Sequence, residues 1–420
     1  MACFVDVIAF VIFNLFGVAS GQLEVAKDDN IEPFALLCRI YNVAENPPIN
    51  YVDLEEPFEI VGEIDTLNRS LLEEKRHDEE WNSGNNSEAS VKPIVTREAA
   101  ISQLSLNQIT QKAHKILEDI RKINVEEKIE KVKHEFNKVI FGDGGNESEL
   151  EQSVLNGVGD RAVACGKSGL TEKGNNAGKN LVVDFFCLCA RNPEEQGVNQ
   201  VCGFYVGVKD SKIGWNESDL MGSSTMWASI KGGCGKHMQR HPKSTAEARH
   251  ILGQFLKHLK TGGVYRWGNG KVDGSDRKEG MLGTGVGKEN GNVGTGPVCS
   301  GKNGKGGNHP GGVCVYYGKE SELDNIPWLN TFQKAIASVD TVNNQTATVQ
   351  RNIKKIQMLL DRAEELYETT KVISEPQNPI GLPAAFLNAS GNMTVHNATR
   401  TRSYSHSSHA CFIPALVLFL

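Results

Sequence analysis

The sequence predicts a mainly α protein: an elongated antiparallel coiled-coil or helical-bundle stalk carrying a disulfide-stapled, loop-rich, membrane-distal lobe. Three observations point there. Apolar residues recur three and four apart over long stretches on either side of the middle of the chain, the period of a helix with one buried face. Seven of the ten cysteines crowd between residues 165 and 314. Most of the 43 glycines fall in that same middle region. The chain has 420 residues, enough for one elongated domain or two compact ones, and its net charge of −6 offers no global basic field for nucleic acid.

Residues 1–21 read as a signal peptide. Phe4 to Val18 is almost wholly apolar, broken by Asp6 and Asn14, and the small residues Ala19, Ser20 and Gly21 suit a signal peptidase. No Lys or Arg precedes the apolar run, which departs from the usual pattern.

The folded domain is expected over 22–372, with a helical stalk from 30–141 and 320–372. A short helix around Pro33 to Asn42 ends at Asn46-Pro47-Pro48, because proline cannot continue a helix. The first long block, Tyr51 to Trp81, places Phe58, Val61, Ile64, Leu67 and Leu71 at helical spacing, and Asn82 to Lys92 reads as a polar loop. The second block runs from a Thr96 cap to Phe141 without proline or glycine, with Ile109, Ile116, Ile120, Ile129, Val132 and Phe136 on its seam. A single helix of that length would be about 68 Å long and needs a partner to bury its stripe. The third block, Trp328 to Lys371, carries Phe332, Ile336, Val339, Val342, Val349, Ile353, Ile356 and Leu360, with one irregular gap past Thr346.

The lobe, 142–319, differs in composition. Leu181 to Cys189 and Val201 to Val208 are apolar bursts with strand character, and Ala246 to Leu259 suits a short helix. From Gly262 to Gly312 the chain is dense in Gly, Asn and Lys and is expected to form loops held by disulfides. Residues 373–397 read as a flexible glycosylated tether and 398–420 as the propeptide of a glycolipid (GPI) anchor. Ala410 to Leu420 is apolar and uncharged but too short to span a bilayer, which takes about 20 residues. An apolar tail after a polar spacer is a lipid-attachment signal, and Asn397 with Ala398 and Thr399 supplies the small residues it needs. Ser403 and Ser405 are alternatives with shorter spacers.

Cys3 and Cys411 leave with the processed ends. Cys38, Cys165, Cys187, Cys189, Cys202, Cys234, Cys299 and Cys314 remain, an even set that implies disulfides in a secreted chain, with roughly a hundred pairings open. Cys38 is the outlier and must join the N-terminal segment to the stapled region or to a neighbouring chain. Candidate N-glycosylation sequons stand at Asn68, Asn85, Asn146, Asn216, Asn344, Asn388 and Asn392; a further one at Asn397 competes with lipid attachment there.

The motifs that suggest chemistry do not hold together. Cys234, His237 and His241 form a C-x2-H-x3-H cluster, but zinc needs an unpaired thiolate and a fourth ligand. Gly283 to Lys288 departs from a phosphate loop in its glycine spacing, and Glu289 stands where Ser or Thr should follow the lysine. Cys187-Leu188-Cys189 suits bonds to other partners better than a redox pair. Lys271, Lys288, Lys302 and Lys305 read as a solvated face. Neither an enzyme, a cofactor, a metal site nor a small-molecule substrate is expected.

Leu181 to Ala190 with its Cys-Leu-Cys-Ala end, then Cys202, Trp227 and Gly232-Gly233-Cys234, resembles the B-type N-terminal domain of African trypanosome variant surface glycoproteins. The long flanking helices and the lipid signal match the same family. No cysteine lies between Cys314 and Cys411, so the separate cysteine-rich C-terminal domain of many members is not expected here, and the chain in this respect resembles the congolense branch. The resemblance implies a homodimeric coat protein on the outer leaflet of the plasma membrane, held by its GPI lipid and facing host antibodies. Such a protein shields the cell surface and evades immunity by antigenic variation. The alternative it implies is a related GPI-anchored receptor for a host protein, of the transferrin- or haemoglobin-complex type.

Overall fold

The computed structural model describes residues 23–82, 97–209, 211–237, 240–268, 272–305 and 309–374. The signal peptide, Thr96, Asn85, Asn388, Asn392, Asn397, Ser403, Ser405, the tether beyond Ser374 and the propeptide lie outside the described residues.

In chain order the helices are α1 (Ile31–Glu45), α2 (Glu56–Asn82), α3 (Arg97–Ile123), α4 (Val125–Phe141), α5 (Arg161–Cys165), α6 (Leu181–Cys189), α7 (Ser223–His237), α8 (Thr245–Thr261), α9 (Glu320–Leu323) and α10 (Pro327–Ser374). The strands are β1 (Gly214–Trp215), β2 (Leu220–Met221), β3 (Gly263–Gly268), β4 (Asp273–Lys278), β5 (Met281–Gly287) and β6 (Gly311–Tyr316).

The helical blocks fall close to where the apolar spacing puts them. Helix α10 opens on Pro327, whose missing N–H costs nothing in the first turn, and runs 48 residues, about 72 Å. The gap in its seam is filled by Thr346, fully buried, whose hydroxyl donates to the Asn343 carbonyl at 2.9 Å and so leaves no unpaired group. The second block is two helices, not one. Asn124, between α3 and α4, adopts left-handed backbone angles (φ 48°, ψ 58°), which asparagine tolerates better than most residues. The seam periodicity continues across this break, which is why spacing alone does not reveal it.

Helices α2, α3–α4 and α10 pack as an antiparallel bundle. Phe136 of α4 meets Phe332 near the start of α10, while Ile116 of α3 shares a groove with Leu359 farther along α10, so the two run in opposite directions. Arg121 of α3 covers the Phe58 ring of α2, and His114 lies 2.9 Å from Asp65, which makes α2 and α3 antiparallel as well. Ile64, Leu71, Leu106, Leu117, Ile120, Val349, Ile356 and Leu360 form the buried interior of this bundle.

The lobe departs from expectation in three places. Leu181–Cys189 is helix α6, not a strand. Asn180 caps it by accepting the Val183 N–H at 2.9 Å, and all nine residues are buried, so no polar face exposes the helical period. Val201 to Val208 forms turns, with Cys202 pinned beneath them. The Gly262–Gly312 stretch contains a four-stranded sheet of order β4-β3-β5-β6, with β3 parallel to β5 and the other pairs antiparallel. Glycine permits the sheet: Gly283 of β5 is in the left-handed region (φ 104°), and a Cβ there would stand 2.8 Å from a Leu188 methyl. Helix α7 is a further element outside the expected set; it buries Met226, Trp227, Ile230 and Cys234 along one face.

Candidate functional site

Helix α6 is the hub of the lobe, and three polar side chains fix it. Arg161, at the start of α5, is wholly buried. Its guanidinium donates to the carbonyl oxygens of Cys187 (3.2 Å), Ala190 (2.9 Å) and Trp215 (3.0 Å), with a longer contact to Phe186 (3.4 Å), and lies over the Trp215 ring. The last carbonyls of a helix lack intrahelical partners and carry the negative end of its dipole, so a cation there satisfies both needs. Burial pushes the guanidinium down to about 9, which leaves it charged at neutral pH. Gly301 (φ 81°) leaves the room, since a Cβ would collide with the guanidinium.

At the other end of α6, Asp184 is also wholly buried. It accepts from the Gly178 N–H (2.8 Å), the Tyr317 hydroxyl (2.8 Å) and the Trp328 indole (2.7 Å). Burial raises its carboxyl to about 7 against the pull of these three donors. Trp328 lies in the first turn of α10, so Asp184 ties the lobe to the longest helix of the bundle. Asn30, just before α1, donates to the Leu188 and Val313 carbonyls and accepts from Thr284, joining α1, α6, β5 and β6. A lone charge inside the apolar run Leu181–Cys189 is a sequence signal for Asp184; Arg161 and Asn30 carry none, because their partners are distant backbone carbonyls.

The eight internal cysteines pair as Cys38–Cys234, Cys165–Cys187, Cys189–Cys202 and Cys299–Cys314. Two of the four bonds hold α6, and Cys38–Cys234 joins α1 to α7. The Cys234 sulfur that a zinc cluster would need is therefore spent, and His241 Nδ1 lies 3.1 Å from the Asn42 amide oxygen. Gly283 to Gly287 belongs to the buried strand β5, so its amides serve the sheet and not a phosphate.

The described sequons differ in setting. Asn68 lies on α2 and accepts from Gln103 at 3.0 Å. Asn146 and Asn216 sit in extended or turn backbone, where their side-chain oxygens accept from Ser148 (2.6 Å) and Ser218 (2.9 Å) respectively. Asn344 is exposed on α10 while Thr346 of its sequon is buried. A cleft of 660 Å³ opens where the Asn46–Tyr51 turn meets α4, lined by Pro47, Pro48, Tyr51, Lys133, Asn137 and Lys243.

The residues that carried the resemblance meet in space. Phe185 of α6 stacks edge-on to Trp227 at 5.9 Å, Tyr41 meets the same indole at 5.5 Å, and Cys202 and Cys234 close disulfides onto α6 and α1. The family model of the trypanosomal VSG domain matches residues 95–358, from the start of α3 through the lobe into α10. The chain belongs to the B-type trypanosomal VSG domain family. The variant surface glycoprotein YnAT 1.3 of Trypanosoma congolense is 25% identical over 218 residues, which cover 49% of this chain and 45% of that protein. The chain thus spans under half the length of that relative. In this VSG domain, α6, with its Cys-Leu-Cys end, is the structural hub, and no helix among the described residues is long and apolar enough to cross a membrane.

Proposed function

We propose that this chain is a GPI-anchored variant surface coat glycoprotein that shields the trypanosome surface and evades host immunity by antigenic variation, with no catalytic role. The observation that carries this reading is the VSG-domain match over residues 95–358, joined to the placement of α10. That helix starts at the lobe, where Trp328 reaches Asp184, and ends at Ser374, ahead of the tether and the residues read as the lipid signal. On this reading the bundle is the stalk, the lobe faces outward to host antibodies, and Asn397 (or Ser403 or Ser405) takes the lipid. Buried polar anchors keep the lobe in place, so its exposed loops can vary without loss of fold. Two copies are expected to pair side by side, both standing on the outer leaflet of the plasma membrane.

The test is mass spectrometry of protein released from the cell surface by a phosphatidylinositol-specific phospholipase. The expected product begins near Gln22 and ends on a residue carrying the glycolipid remnant. An intact Leu420 on the mature surface protein would refute the anchor. The receptor alternative is separated by abundance: a coat protein dominates the surface proteome, whereas a receptor for a transferrin- or haemoglobin-type complex is scarce.

A further inference from the structure

The 660 Å³ cleft at the Asn46–Tyr51 turn falls within the size range of small-ligand sites. Three parts of the chain wall it: the turn itself, α4 through Lys133 and Asn137, and the loop before α8 through Pro242 and Lys243. Contacts from outside hold that shape. Asn343 of α10 accepts from the Asn50 N–H at 2.8 Å and donates to the Pro48 carbonyl at 2.9 Å. The Ile49 N–H bonds the Pro47 carbonyl at 2.7 Å. Asn137 donates to the Gly145 carbonyl at 3.1 Å, and Asn46 Nδ2 lies 3.2 Å from the Asn42 amide oxygen. A cleft fixed in this way is spared the cost of ordering itself on binding.

The lining selects the ligand. A peptide strand pairs with free backbone groups, but Pro47, Pro48 and Pro242 supply no N–H, and the carbonyls of Pro47 and Pro48 are already bonded. An anion finds the positive charge offset: Lys133 pairs with Glu130 at 2.8 Å, and Glu45 stands in the same lining as Lys243. A neutral, hydrogen-bonding ligand fits what remains. With their nitrogens bonded within the chain, Asn46 and Asn137 keep their amide oxygens as acceptors, the Lys243 ammonium donates, and the Tyr51 hydroxyl does both. The Lys133 ammonium lies 5.7 Å from the centre of the Tyr51 ring, yet Tyr51 is still 59% exposed, and with the proline rings it offers apolar surface. A sugar ring carries hydroxyls on its edge and C–H groups on its faces, so it matches both kinds of wall. Two sequons flank the cleft: Gly145 precedes Asn146, and Asn343 precedes Asn344.

We propose that this cleft binds neutral sugar residues of an N-linked glycan, supplied by the chain's own Asn146 or Asn344. A glycan seated there ties the turn to α4 and to the loop before α8, and screens that junction from solvent. The source rests on the secretory passage proposed above; the affinity of the cleft for sugar does not, and the two are tested apart.

The experiment follows the binding of free N,N′-diacetylchitobiose and of a branched mannotriose to the secreted, lipid-free protein, by saturation-transfer NMR and titration calorimetry. Wild type is compared with Asn146→Gln, Asn344→Gln and the double variant. Wild type, its cleft filled by its own glycan, is expected to refuse both probes, and the variant that removes the resident glycan is expected to bind at least one. Adding Tyr51→Ala to that variant is expected to weaken binding about tenfold. Tyr51 is exposed and outside the helices, so the fold is kept, as a circular dichroism melt checks. Equal binding by wild type and the sequon variants would overturn the chain as the source and leave the sugar site standing. Mass spectrometry that finds Asn146 and Asn344 both bare on the wild-type protein would do the same. Refusal of both probes by every protein, or binding that ignores Tyr51→Ala, would overturn the site. Sialyllactose binding more tightly than the neutral probes would overturn the ligand class.

Discussion

Arg161 Nη2 donates to the Ala190 carbonyl oxygen at 2.9 Å, joining a side chain with no exposed surface to the residue that caps the C-terminus of α6. The charge is held by carbonyls and an indole face in place of a carboxylate. Replacing Arg161 with alanine strands those carbonyls in a dry site and is expected to cost about 3–5 kcal/mol in urea unfolding. Lysine keeps the charge but not the planar fork, so Arg161→Lys should fall between the two. Equal stability of all three proteins would show that the guanidinium contributes nothing.

The buried Asp184 makes stability depend on pH. Its folded value near 7 lies above the ordinary carboxylate value of 3.8. Between those limits the folded protein holds a proton that the unfolded chain has released, so stability falls as pH rises through the window. Asp184→Asn removes this titration but puts an amide nitrogen where Tyr317 and Trp328 donate. The variant is expected to be less stable by about 1–3 kcal/mol and to show a flatter melting temperature from pH 4 to pH 7. An unchanged pH slope would assign the dependence to another group.

The disulfides should contribute unequally. Cys38–Cys234 spans 196 residues and Cys189–Cys202 spans 13. Chain-entropy arguments give about 5 kcal/mol for the long closure and about 3 for the short one. Serine pairs at each site, compared by guanidinium unfolding, should rank in that order. The reverse ranking would mean that residual structure in the unfolded chain already holds α1 near α7.

Two glycines give a paired control. Gly301→Ala forces a side chain into the Arg161 guanidinium at a left-handed position and should destabilise by about 2–4 kcal/mol. Gly62, within α2, has open space around it, so Gly62→Ala should stabilise by about 0.5–1 kcal/mol through helix propensity. A differential-scanning melt of both reads the opposite signs directly.

The chain itself determined its long helices. In α2, α3, α4 and α10 one face is buried and the other wet, so the period of the burial is written in the order of residues, and Pro327 and Pro47-Pro48 mark ends in the same way. The even set of eight cysteines between the processed ends, and the family signal around Cys187, Cys189 and Trp227, were legible for the same reason: they are local patterns of residue type. Tertiary structure decided the lobe. Helix α6 is buried all round, so its sequence carries no period, and its helical state depends on Arg161 and Asn30 reaching it from 20 and more residues away. The glycine-rich stretch becomes a sheet because Gly283 lets β5 lie against Leu188, a closeness that composition does not register. Which cysteine bonds which follows from packing between distant segments. Those contacts exist only once the chain has closed on itself.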